Sequence, residues 1–119
     1  MSAPVIIAAA RSAIGTAGRS LAGVTADQLA GPVLAATLAR SGLAPEEISD
    51  VVLGNCMGPG GDVARSASLA AGLPVTVPAL TVDRQCASGL AAIDVAVSLA
   101  PPRTSETARA PCSPAAWSR

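Results

Sequence analysis

The sequence contains no histidine, lysine, phenylalanine or tyrosine, and its only tryptophan is Trp117. Without histidine, mixed cysteine and histidine zinc sites are excluded. The three cysteines, Cys56, Cys86 and Cys112, have neither metal-ligand spacing nor the even number of a disulfide framework. All eight cationic side chains are arginines and the net charge is zero, so the chain lacks the basic stripe of a nucleic-acid-binding protein. We therefore expect neither a bound metal nor a nucleic-acid partner.

Long apolar runs are also missing. No segment approaches the roughly 18 to 20 apolar residues that span a bilayer. Residues 1–11 have no basic stretch before their short apolar run, so they do not predict a secretory signal. These absences predict a protein of the reduced cytoplasm with no membrane partner.

Apolar runs bounded by turn residues alternate with helical patterns along residues 5–99. The predicted strands cover residues 5–10, 51–53 and 80–82. Three helices are predicted: one from an N-cap at Thr25 to Arg40, one over residues 63–71 capped by Asp62, and one opened by Cys86 over residues 87–99. Residues 45–48 predict one short helical turn. The order βαβαβα predicts an α/β fold with a parallel sheet.

The predicted domain is incomplete. Half of the chain is apolar, but 27 of its 119 residues are alanine, which contributes little area to a core. The third helix has only Asp94 and Ser98 as polar residues after Ser88, so it should be buried on most sides, under layers that this chain does not contain. We predict a partial domain over residues 1–99. Residues 100–119 hold four prolines and no apolar periodicity, and predict an irregular tail.

Cys86 stands at the junction between the third predicted strand and the third predicted helix. A thiol at this position faces the unpaired N–H groups of the helix and the positive end of its dipole, which favour the nucleophilic thiolate. The small residues that follow, Ala87, Ser88 and Gly89, allow a substrate to approach the backbone. This arrangement is typical of an acyl-accepting nucleophile, although an isolated cysteine in an apolar segment is more often structural.

Three stretches, in this order, resemble the N-terminal part of the thiolase family, specifically its acetyl-CoA acetyltransferases. They are residues 11–15 with 20–23 (RSAIG, SLAG), residues 54–58 with 64–65 and 70–74 (GNCMG, AR, AAGLP), and residues 82–89 (VDRQCASG). The last resembles the family's nucleophile motif, in which the cysteine opens a buried helix. The resemblance spans about residues 4 to 99.

The resemblance implies a fold and a chemistry. The fold is an incomplete thiolase-like N-terminal domain with a buried nucleophile helix. Cys86 would take an acyl group from acyl-CoA as a thioester and pass it to acetyl-CoA or to free CoA, with its own backbone N–H stabilising the oxyanion. The resemblance also implies coenzyme A thioesters as substrates without a separate cofactor, a role in fatty acid metabolism, and a homodimer or homotetramer for the intact family member.

The chain departs from the family pattern in its second half. Thiolases use histidines and a second cysteine from their C-terminal half, and this sequence has no histidine. Read in another frame, residues 111–119 permit a stretch that resembles the strand following the family's nucleophile helix. We therefore hypothesise that residues from about 100 onward are an out-of-frame tail, which sequencing of the gene would test. The competing hypothesis is a catalytically inactive remnant or dimerisation module.

Other residues have plainer interpretations. Cys56 beside Met57 is interpreted as loop packing, and the glycines at 54, 58, 60 and 61 as turn geometry rather than a phosphate cradle, because no Lys-Ser/Thr pair follows. Asp83 and Asp94 are interpreted as a solvated or capping carboxylate and a hydrogen-bonded helix residue. Arg84 has two open interpretations, a surface side chain or one that positions a partner or substrate.

Overall fold

The computed structural model describes residues 3–100. This part of the chain contains three helices and two strands. In chain order they are α1 (Ala26–Ser41), a 3-10 turn (Pro45–Glu47), β1 (Val51–Gly54), α2 (Val63–Ala70), β2 (Ala79–Val82) and α3 (Ser88–Leu99). The α/β class is confirmed, as are two of the three predicted strands and all three predicted helices.

The two strands lie side by side and run parallel. Val51 pairs with Ala79 and Gly54 with Val82, and hydrogen bonds from Val51 N to Pro78 O (3.1 Å) and from Asn55 N to Val82 O (3.0 Å) extend the ladder at both ends. The prediction of a parallel sheet is therefore confirmed. Because parallel strands end at the same edge, the loops that carry Cys56 and Cys86 both leave the sheet from its carboxyl edge.

The prediction of a strand over residues 5–10 is wrong for this structure. These residues form no strand, and Val5 and Ile6 are 78% and 85% exposed. Within this segment, the Ala9 carbonyl accepts a hydrogen bond from Arg40 Nη1 at 2.8 Å. An apolar run becomes a strand only when it hydrogen-bonds to a partner strand, and the sheet formed by residues 3–100 contains β1 and β2 alone. The order among these residues is therefore αβαβα rather than βαβαβα.

Local side-chain contacts set the helix ends where the sequence predicts them. At the start of α1, Thr25 N donates to Gln28 Oε1 at 3.0 Å. The Thr25 hydroxyl donates to the Asp27 carboxylate and lowers the pKa of Asp27 below its usual value. Gly42 ends the helix with a left-handed φ of 72°. Asp62 caps α2 by accepting from Arg65 N at 3.2 Å. These contacts span few residues, so sequence patterns can predict them.

The core lies where α2 packs on the sheet. Its buried cluster is Val51, Ala64, Leu73 and Val77. Thr81 on β2 ties the sheet to the start of α2, because its hydroxyl donates to Asp62 Oδ1 and accepts from Ala64 N at 2.9 Å. The Arg65 guanidinium donates to the carbonyls of Val77 (2.7 Å) and Val75 (2.8 Å), which holds the loop before β2. This network fixes β2, and with it the segment that leads to Cys86.

Helix α3 is buried on one face only. Ser88, Ala91 and Ala92 are buried, whereas Leu90 and Ile93 are 72% and 57% exposed. Burial is therefore present on the face against the sheet, and the other faces lack covering layers among residues 3–100, as expected from the sequence. The described residues supply one layer against α3, and the apolar side chains on its other faces have nothing to pack on. Among residues 3–100, no helix has both the length and the apolar character needed to cross a bilayer.

Candidate active site

The end of β1 lies directly against the start of α3. A Cβ atom added to Gly54 would lie 2.5 Å from the Ser88 carbonyl oxygen and 2.6 Å from the Gly89 nitrogen. No side chain fits between these two backbones, so only glycine permits the contact. Gly54 thereby fixes the first turn of α3, two residues beyond Cys86, against the sheet.

Cys86 lies in the turn between β2 and α3, as an exposed free thiol. The helix begins at Ser88 with Ala87 as its N-cap, so Cys86 precedes the cap rather than opening the helix. The turn is closed by hydrogen bonds from Ala87 N to Arg84 O (3.1 Å) and from Ser88 N to Gln85 O (3.0 Å). The predicted junction is thus present, with the helix starting two residues after the thiol.

Gln85, the residue before Cys86, has a left-handed backbone with φ of 52°. It is the one residue other than glycine with a positive φ among residues 3–100. This conformation costs about 1 kcal/mol or more for a residue with a Cβ, so neighbouring contacts must hold it. Asp83 supplies one of them, since its Oδ1 accepts from Gln85 N at 3.0 Å. This bond agrees with the interpretation of Asp83 as a capping carboxylate.

Ser88 makes two contacts to the same turn through a buried hydroxyl. Its Oγ donates to Gln85 O at 2.6 Å and accepts from Arg84 N at 2.8 Å, and the residue is 5% exposed. Sequence patterns did not predict this role for Ser88. Its position just inside the third predicted helix was the available signal, because serine near a helix start often bonds backbone groups there.

A cavity of about 460 Å³ opens beside the turn, lined by Arg84, Ala87, Leu90, Ala91 and Asp94. Arg84 therefore lines a cavity rather than only the outer surface, and Cys86 is not among the lining residues. Asp94 lies on the same side, and its backbone carbonyl accepts from the Ser98 hydroxyl at 2.9 Å. A separate hollow of about 270 Å³ lies between residues 7–8, α1 and β1, and none of its lining residues belongs to the Cys86 turn.

The loop after β1 carries the other described thiol. Cys56 is an exposed free cysteine and Met57 is 88% exposed, so the interpretation of this pair as loop packing is wrong. The glycines behave as turn residues: Gly58 N donates to Asn55 Oδ1 at 3.0 Å, and Gly61 has a φ of 91°. Cys112 and the predicted tail from residue 101 onward lie outside the described residues.

The sequence around this site matches a known family. Residues 4–101 match the profile of the thiolase N-terminal domain, which includes both strands, all three helices and the Cys86 turn. The chain belongs to the thiolase family. Membership confirms the resemblance that the three sequence stretches carry.

Similar proteins are acetyl-CoA acetyltransferases of bacteria. The chain is 44% identical over 96 residues to the acetyl-CoA acetyltransferase of Cupriavidus necator and 47% identical over 95 residues to that of Allochromatium vinosum. These matches cover 79% and 78% of this chain but 24% of each relative. The crystal structure of the Bacillus anthracis acetyl-CoA acetyltransferase superposes with a TM-score of 0.76 at 47% identity, covering 78% of this chain and 24% of that one. The chain thus spans about a quarter of these thiolases.

Proposed function

We propose that this chain carries the acyl-accepting step of a thiolase-type acyltransferase, with Cys86 as the nucleophile. The Cys86 sulfur attacks the thioester carbonyl of an acyl-CoA, a new C–S bond forms, and the bond to the CoA sulfur breaks. CoA leaves as a thiolate that takes up a proton, and the acyl group remains on Cys86 as a thioester. The observation that carries the proposal is an exposed thiol in the turn between β2 and α3, inside the part of the chain that matches the thiolase N-terminal domain.

The surroundings of Cys86 support this role. The thiol is open to solvent, and a cavity is lined by Arg84 and Ala87, which lie on either side of Cys86 in the chain. The N-terminal end of helix α3, which is the positive end of its dipole, begins two residues after Cys86 and favours negative charge there. In our proposal the backbone N–H of Cys86 contributes to the oxyanion hole.

The second half of the reaction is transfer of the acyl group to acetyl-CoA, or back to CoA. Condensation with acetyl-CoA needs a base that removes a proton from its methyl group. The 119-residue sequence contains no histidine for that purpose. We therefore propose that this polypeptide performs acyl exchange with CoA but not condensation. In the same proposal, acyl-CoA is the substrate, no separate cofactor is used, the setting is the cytoplasm, and the intact family member is a homodimer or homotetramer.

A competing proposal is that the chain is an inactive remnant or a dimerisation module. The exposed apolar side chains Leu90, Ile93 and Val97 of α3 favour it, because such a face promotes association in water. Under this proposal, any thiol of the chain would react with acetyl-CoA no faster than a simple thiol in solution.

Exchange of isotopically labelled CoA into acetyl-CoA separates the two proposals. We expect the folded chain to catalyse a saturable exchange at least about tenfold faster than an equal concentration of free cysteine, because the site positions its thiol against the bound thioester. Urea at a concentration that unfolds the chain should remove the excess rate. Exchange at the rate of free cysteine, or exchange that survives unfolding, would favour the inactive remnant.

A further inference from the structure

We propose that Ser88 is a positioning residue for Cys86, acting through the left-handed turn at Gln85. The buried Ser88 hydroxyl holds the two residues before Cys86 and thereby sets where the thiol lies. The inference rests on the proposed function in one respect, the role of Cys86 as the acyl acceptor. Ser88 itself would touch neither the acyl group nor CoA.

The first support is the pair of hydrogen bonds that the hydroxyl makes. It donates to Gln85 O at 2.6 Å and accepts from Arg84 N at 2.8 Å, so one oxygen joins consecutive residues of the turn. Hydrogen bonds of this kind contribute about 1 kcal/mol each. Together they offset the cost of about 1 kcal/mol or more for the left-handed Gln85.

The second support is burial. Ser88 is 5% exposed, whereas Asp83, whose carboxylate also holds Gln85, is exposed. Water competes with an exposed hydrogen bond far more than with a buried one. Ser88 is therefore the stronger of the two side-chain supports of the turn.

The third support is the anchoring of Ser88 itself. Its backbone lies against Gly54, in a contact that leaves no room for a Cβ. The position of Ser88 is thus set by β1, and its hydroxyl transmits that position to Gln85. Cys86 follows Gln85 directly, so its location relative to the sheet depends on this chain of contacts.

Three variants test the inference: Ser88→Ala, which removes the hydroxyl, Ser88→Thr, which keeps it, and Ser88→Ala with Gln85→Gly. Glycine adopts a positive φ without penalty, so the double variant keeps the turn without the hydroxyl. The first readout is alkylation by iodoacetamide, followed for Cys86 and Cys56 in the same sample by peptide mass spectrometry. Cys56 is also exposed and serves as the internal control. Circular dichroism verifies that each variant is folded.

We expect Ser88→Ala to lower the ratio of Cys86 to Cys56 alkylation rates by about threefold or more, because a released turn holds the thiol less often at the helix N-terminus. Ser88→Thr should keep the ratio near that of the unmodified chain. Adding Gln85→Gly to Ser88→Ala should restore part of the lost ratio. An unchanged ratio in a folded Ser88→Ala variant would overturn the inference, and so would a loss that Ser88→Thr does not rescue.

The second readout is acetyl transfer from acetyl-CoA to Cys86. Misplacement of a reacting group by about 1 Å can lower a rate by as much as 100-fold, so we expect at least a tenfold loss in Ser88→Ala. A lower alkylation ratio with unchanged acetyl transfer would overturn the positioning role. If the unmodified chain takes up no acetyl group, the proposed function fails, and the alkylation ratio alone then decides whether Ser88 positions the thiol.

Discussion

Replacing Gly54 with alanine is expected to remove a large part of the protein's free energy of unfolding. The added methyl group would lie 2.5 Å from the Ser88 carbonyl oxygen and 2.6 Å from the Gly89 nitrogen. Both are backbone atoms, so no side-chain rotation relieves the clash. The register of β1 against β2 prevents Gly54 from moving away alone. We expect a cost of about 3 kcal/mol or more, a large share of the roughly 5 kcal/mol at the lower end of domain stabilities.

Gly60→Ala is the matched control for Gly54→Ala. Gly60 lies in the loop that follows Gly54, has no positive φ, and an added Cβ would meet nothing within 4 Å. Urea unfolding followed by far-ultraviolet circular dichroism compares the two variants. The control should keep the midpoint of the unmodified chain within a small shift, while Gly54→Ala should move the midpoint to a much lower urea concentration. Equal midpoints would contradict the close packing of β1 on α3.

Replacing Cys86 with serine is expected to reduce CoA exchange at least about tenfold, to the rate of a simple thiol in solution. Serine keeps the size of the side chain, but its hydroxyl is a weak nucleophile unless an adjacent base activates it. The loss should appear in the maximal rate at saturating acetyl-CoA, because the acceptor of the acyl group is gone. The exposed position of Cys86 makes a large effect of this substitution on folding unexpected.

Cys56→Ser is the matched control for Cys86→Ser. Cys56 is the other free and exposed thiol among residues 3–100, and it leaves the same edge of the sheet. We expect this variant to exchange CoA at nearly the unmodified rate. Equal losses in the two variants would mean that exchange follows general thiol reactivity, and the assignment of Cys86 would then be wrong.

The features that the sequence predicted well depend on short-range chemistry. The Thr25 and Asp62 caps use contacts within a few residues, so residue types and spacing suffice to place them. The parallel pairing of β1 and β2 followed from their separation by a helix. Cys86 at the junction of a strand and a helix could be located for the same reason.

The features that the sequence did not reveal depend on distant parts of the chain. Residues 5–10 have the apolar character of a strand, yet among residues 3–100 they pair with neither strand of the sheet. The contact of Gly54 with Ser88 and the buried hydroxyl that holds Gln85 arise only when β1 and α3 meet. No pattern in either segment alone indicates them.

Acetyl mapping tests the central claim most directly. The chain is incubated with acetyl-CoA, quenched in acid and digested, and each cysteine peptide is measured for a hydroxylamine-labile acetyl group. We expect the thioester on the Cys86 peptide, approaching one acetyl group per chain, with at most about a tenth as much on the Cys56 peptide. Equal acetylation of the two peptides, or none on Cys86 while the chain is folded, would contradict the account.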